Sequence, residues 1–152
     1  FLNNELAEGR YYACCDLVSL SDLRAPTFVV GTLRDHVAPW RSTYKIHYLA
    51  ADVDITYALA SGGHNAGIVA PPSEAGHSYQ VLGKQADDPY LGPDEWLRRA
   101  PKQEGSWWPE WVRFLGQHSG AAVAPPPMGG AKQASASEAR STKNTMPATT
   151  AM

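Results

Sequence analysis

Cysteine is almost missing from this chain: 152 residues contain two, Cys14 and Cys15, and they are adjacent. Neighbouring cysteines rarely bridge each other, so nothing here builds the disulfide framework of a small secreted domain. Without a Cys-x-x-Cys spacing or a nearby histidine pattern, the pair reads as two small residues in a turn, not as a metal or redox site. Net charge is lacking too. Thirteen Lys and Arg against fifteen Asp and Glu leave −2, which gives no electrostatic reason to expect nucleic acid or an anionic membrane as partner. No apolar run approaches the length of a membrane span. The opening stretch starts on Phe1 instead of Met and is neither basic nor apolar enough for a signal peptide. The chain therefore reads as one domain's worth of sequence whose front is missing. One further absence bears on chemistry: there is no Gly-x-Ser/Cys-x-Gly turn to carry a nucleophile. Gly63 to Gly67 and Gly116 to Gly120 have the outer glycines without Ser or Cys at the centre.

What is present is organised around Thr27 to Trp40. Phe28, Val29 and Val30 form a short, unbroken apolar run that suits a parallel strand covered on both faces. Gly31 is expected to end that strand, and Asp35 falls in the loop just beyond its carboxyl end. Pro39 is expected to open a helix reaching Ala50, with Trp40, Tyr44, Ile46 and His47 inward and Arg41 and Lys45 outward. Asp54 to Ala60, rich in β-branched and aromatic residues, reads as a second strand. It runs into Ser61-Gly-Gly, which puts His64 just past its carboxyl end. A strand–helix–strand crossover makes the two strands parallel, so Asp35 and His64 share one rim of the sheet. An acid and then a histidine on successive loops of that rim form the back half of an α/β-hydrolase triad. Asp52 and Asp54 lie at the strand's amino end, on the opposite rim.

Three motifs in order make the resemblance specific: Gly31 to Trp40 (GTLRDHVAPW), Ser61 to Val69 (SGGHNAGIV) and Gly105 to Trp111 (GSWWPEW). Over Phe1 to Gly129 the chain resembles the carboxyl-terminal part of a polyhydroxyalkanoate synthase, of the class I-like kind that makes polyhydroxybutyrate. The resemblance implies an α/β-hydrolase fold of which this chain holds the last parallel strands and helices. It implies a Cys-His-Asp triad whose Cys is absent here, with His64 activating it to attack the thioester of a 3-hydroxyacyl-CoA and release CoA. Asp35 then either orients His64 or helps deprotonate the 3-hydroxyl that extends the chain. The implied partners are that substrate, the growing polyester and the granule surface, with a homodimer of the complete enzyme, a cytoplasmic location at granules, and no cofactor or metal. At Cys14-Cys15 the resemblance departs from the pattern, because a Gly-containing turn would be usual there.

The rest of the chain is expected to be framework. Phe1 to Glu8 reads as a helix end stopped by Gly9, and Arg10 to Ser21 as a short strand or hairpin. Pro71 to Pro89 reads as a loop in which His77 is solvated, and Gly92 to Ala100 as a short helix. Ser106 to Gly116 reads as a helix whose Trp108, Trp111, Phe114 and Leu115 stripe packs on the core; the sharper alternative is an acyl- or polymer-contacting surface. His36 is expected to pack or hydrogen-bond near Asp35, and His47 and His118 to be structural or solvated. Residues 1–120 thus form the incomplete catalytic domain and residues 121–152 a Pro/Gly/Ser/Ala-rich disordered tail. Two other functions fit the same residues. A hydrolase of this fold, such as an esterase or polyester depolymerase, would differ in the nucleophile and in using water as acceptor. A non-catalytic granule-binding module would keep its binding after Asp35 and His64 were changed.

Overall fold

A computed structural model describes residues 3–126. The chain opens with a hydrogen-bonded turn, not the end of a helix, through Glu8 N–H to Asn4 C=O and Arg10 N–H to Glu5 C=O. A hairpin follows, with β1 (Tyr11–Ala13) antiparallel to β2 (Asp16–Val18). Cys14 and Cys15 are its two-residue turn, both exposed and unbridged. Cys14 has φ of 58°, the left-handed region that favours glycine in hairpin turns. The departure noted in the sequence is therefore a non-glycine residue holding a glycine-like conformation.

β3 (Thr27–Thr32) and β4 (Ile55–Ala60) pair in parallel, Thr27 opposite Ile55 through Thr32 opposite Ala60. β3 does not end at Gly31 as its sequence suggested. The strand continues because Gly31 lets the Tyr57 hydroxyl approach its backbone: a Cβ there would lie 2.3 Å from that oxygen. Tyr57 is completely buried, and its hydroxyl reaches Thr43 Oγ1 at 2.7 Å and the Trp40 carbonyl at 3.1 Å.

The expected Pro39–Ala50 helix is instead two single turns, α1 (Trp40–Thr43) and α2 (Ile46–Leu49), with Pro39 just outside the first. Tyr57 and Thr43 both direct hydroxyls at the Trp40 carbonyl. Side-chain donors of this kind compete with the helical ladder and bend it. The joint closes through tighter i→i+3 bonds, Lys45 N–H to Ser42 C=O and His47 N–H to Tyr44 C=O.

The loop expected over Pro71 to Pro89 contains a strand, β5 (Ser78–Lys84), antiparallel to β4. Beyond α3 (Pro93–Arg99), β6 (Lys102–Glu104) adds a fourth strand, giving the order β3-β4-β5-β6. The architecture is α/β with a mixed sheet, in which only β3 and β4 run parallel. Side chains alternate between its faces. Val29, Tyr57, Leu59 and Leu82 pack with Trp40, Tyr44 and Trp96 on one side. Phe28, Val30, Ala60, Tyr79 and Val81 meet Trp107 and Trp108 on the other. Trp108 belongs to α4 (Trp108–His118). Of the aromatic stripe on that helix, Phe114 packs against Phe28 while Trp111 and Leu115 remain exposed. Residues 3–119 form one compact unit, and 120–126 are exposed without regular structure. The tail expectation for residues 127–152 lies outside the described residues.

His47 is buried between Tyr44 and Tyr57, with Nδ1 donating to the Tyr44 carbonyl and Nε2 unpartnered. Burial pushes its pKa down, assisted by the Lys84 charge and opposed by the carbonyl bond. As pH falls below about 6.5, the unfolded chain takes up a proton that folded His47 refuses, so stability rises with pH across that window and is lost on acidification. The melting temperature of the complete protein should therefore drop between about pH 7.5 and about pH 5.5. The drop should be smaller in His47→Gln, which keeps a donor but does not titrate. An equal drop in both proteins would show that His47 does not contribute.

Candidate active site

The parallel register of β3 and β4 puts their carboxyl ends side by side, with Leu33 N–H bonding Ala60 C=O and Arg34 N–H bonding Gly62 C=O. Asp35 and His64 emerge on these two loops, and His64 Nδ1 lies 2.9 Å from Asp35 Oδ2. The sequence's two candidate residues are thus brought into contact. The Asp35 side chain is 8% exposed and that of His64 47%. The acid is enclosed while the imidazole faces solvent.

Both oxygens of Asp35 are engaged twice. Oδ1 accepts the Val37 and Ala38 N–H groups, each at 2.8 Å. Oδ2 accepts His64 Nδ1 and, at 3.2 Å, the Thr32 hydroxyl. The Ala38 N–H is the main cause holding the Asp35 carboxyl well below the usual carboxylate range; His64, Val37 and Thr32 add to it, against the opposing effect of desolvation. A carboxylate so fixed can only accept, so the proton shared with His64 sits on Nδ1. Nε2, which carries the lone pair in the neutral imidazole, points away from the acid and meets no hydrogen-bond partner among the described residues.

The loop carrying His64 is held by its own turn and by two tryptophans. Gly67 N–H closes it on Gly63 C=O at 2.9 Å. The buried Trp107 indole donates to the Gly67 carbonyl and the Trp108 indole to the Ile68 carbonyl, both at 3.0 Å. From the sequence, Trp108 was expected to pack on the core, with an acyl- or polymer-contacting surface as the alternative, and Trp107 was given no role beyond its place in the motif. Their place in the third motif was the available signal that they belong to the site. Thr32 was missed as well, although Thr-x-x-Asp is a spacing at which a hydroxyl reaches a loop carboxylate.

The other polar candidates stand apart. Asp54 accepts the Ala86 N–H at the amino end of β4. His36 is exposed and makes no hydrogen bond among the described residues, contrary to the packing expected of it. His77 is partly shielded and 3.4 Å from Glu74, and His118 lies against the Phe114 ring. Among the described residues no three His, Cys, Asp or Glu side chains are grouped to hold a metal ion. A cavity of about 470 Å³ lined by Tyr44, His47, Leu82 and Trp96 takes no residue from either loop.

A histidine with Nδ1 anchored on a carboxylate is the arrangement that nucleophile–histidine–acid enzymes use to handle protons. The chain is 32% identical over 127 residues to the poly(3-hydroxyalkanoate) polymerase subunit PhaC of Cupriavidus necator, covering 83% of this chain and 21% of that protein. It is 35% identical over 118 residues to a poly(3-hydroxyalkanoate) polymerase of Methylorubrum extorquens, covering 76% and 18%. Poly(3-hydroxyalkanoate) polymerase 2 of Ectopseudomonas oleovorans matches at 32%, covering 74% and 19%. No family model matches the chain. The chain belongs to the poly(3-hydroxyalkanoate) polymerase family, and it spans about a fifth of the length of the curated relatives it matches.

Proposed function

We propose that this chain is the acid–base portion of a polyhydroxyalkanoate synthase, an acyltransferase that polymerises 3-hydroxyacyl-CoA, 3-hydroxybutyryl-CoA in the simplest case, with release of CoA. Residues 1–120 are the last part of an α/β-hydrolase catalytic domain. The nucleophile, a cysteine on a strand-to-helix turn, comes from outside this chain. The observation that carries the reading is the 2.9 Å contact between His64 Nδ1 and Asp35 Oδ2 at the ends of two parallel strands.

His64 Nε2 takes the proton of the cysteine thiol, and the thiolate attacks the thioester carbonyl. The same imidazole returns the proton to the departing CoA sulfur, leaving an acyl-enzyme thioester. In elongation it takes the proton of the 3-hydroxyl that attacks that thioester and gives it to the cysteine sulfur, which leaves as the new ester bond forms and the thioester bond breaks. The four donors around Asp35 favour an orienting role over direct deprotonation of the hydroxyl, because both of its oxygens are already engaged. A thiol suits the exchange, since a thiolate forms readily beside a histidine. The complete enzyme works in the cytoplasm at the surface of its polyester granules, as a homodimer.

Incubating the complete protein with radiolabelled 3-hydroxybutyryl-CoA, then denaturing it, tests this reading. Label should remain on the protein through a hydroxylamine-labile thioester, with matching release of CoA. Release of free 3-hydroxybutyrate without protein label would instead identify a hydrolase.

A further inference from the structure

Thr32 joins the two loops of the site through one side chain. It closes β3 and is buried to 1% exposure. Its hydroxyl donates to Asp35 Oδ2, the same oxygen that meets His64 Nδ1. Its methyl presses on the other loop at Gly67, where an added Cβ would stand 2.4 Å from Thr32 Cγ2 and 2.9 Å from Thr32 Cβ. Gly67 in turn closes the turn that carries His64. Here the β-branched side chain has one staggered arrangement that sends Oγ1 to the acid and Cγ2 to the glycine.

We infer that Thr32 is a positioning residue: its hydroxyl fixes the rotation of the Asp35 carboxylate, and so the direction in which His64 is held. The two backbone donors on Oδ1 anchor one oxygen only. A carboxylate pinned at one oxygen can still swing the other, and Thr32 removes that freedom on the side where His64 binds. The inference rests on the acid–base role proposed above for Asp35 and His64. A misplacement of about 1 Å at such a pair can cost about 10²-fold in rate.

The test compares Thr32→Val, Thr32→Ser and Thr32→Ala in the complete polymerase, measuring kcat and KM for CoA release from 3-hydroxybutyryl-CoA. Thr32→Val keeps the volume and loses the donor; it should lower kcat about ten-fold or more with KM nearly unchanged. Thr32→Ser restores the donor without the methyl and should recover most of the loss. Should Thr32→Val fail to fold, Thr32→Ala carries the same comparison without a methyl set against the carboxylate. A donor-less variant that folds and turns over like the parent would overturn the inference. So would a Thr32→Ser enzyme as slow as Thr32→Val, since packing and not the hydroxyl would then be responsible. His64→Ala in the same assay separates the two levels. If it is inactive while Thr32→Val turns over like the parent, only the role of Thr32 fails; if it is active, the acid–base reading fails with it.

Discussion

Replacing His64 by alanine, or Asp35 by asparagine, in the complete polymerase is expected to lower CoA release from 3-hydroxybutyryl-CoA by roughly 10³ to 10⁴-fold. The two substitutions act differently. His64→Ala removes the imidazole that we propose accepts the thiol proton. Asp35→Asn leaves shape intact but reverses polarity: the introduced side-chain amide can donate to Nδ1, which drives the proton to Nε2 and removes the lone pair from the side where the nucleophile stands. Asp54→Asn and His77→Ala should change the rate by only a few-fold, because Asp54 caps the opposite rim and His77 leans on Glu74. Equal effects at all four positions would mean general loss of fold. Parent-like turnover in the Asp35 or His64 variants would remove them from the mechanism.

How far the site could be read without coordinates follows from the range of the interactions. Asp35 and His64 were legible because each lies within a few residues of a strand end, and the parallel pairing of two apolar runs then fixes their rim. Thr32 and the Trp107 and Trp108 indoles were not, since what matters is a hydroxyl or N–H direction set by tertiary contact. The same division runs through the fold. The Gly92–Ala100 expectation matched α3, where Pro starts the helix, Asp94 and Glu95 stand in its first turn and Arg98 and Arg99 in its last. Local residues decide all of this. The Pro39–Ala50 helix failed because Tyr57, a strand away, competes for the Trp40 carbonyl. β5 was hidden by its flanking Gly, Ser and Asp residues, with Gly83 inside the strand. It persists because its length pairs with β4 and because Gln80 Nε2 bonds the Leu97 and Ala100 carbonyls at the end of α3.

Expressed alone, this polypeptide should release no CoA from 3-hydroxybutyryl-CoA and should aggregate. The first expectation follows from its cysteines. Both sit on the exposed β1–β2 turn, not on a strand-to-helix turn above a sheet, so His64 has no thiol placed to deprotonate. The second follows from the ends of the sheet, which differ. β6 is three residues long and exposed, with Lys102 and Glu104 at its ends; short, charged edges of that kind resist further pairing. β3 is six residues long and apolar, lies at the other edge of the order β3-β4-β5-β6, and has Phe28, Val29 and Val30 only half-buried. Among the described residues nothing pairs with its outer side. Parallel strands this apolar normally lie inside a sheet, and an open one is a template for a second copy. Light scattering of the refolded chain should therefore rise with concentration. A monomer that melts cooperatively would show that β3 tolerates solvent, and CoA release by it would show that this chain carries a nucleophile of its own.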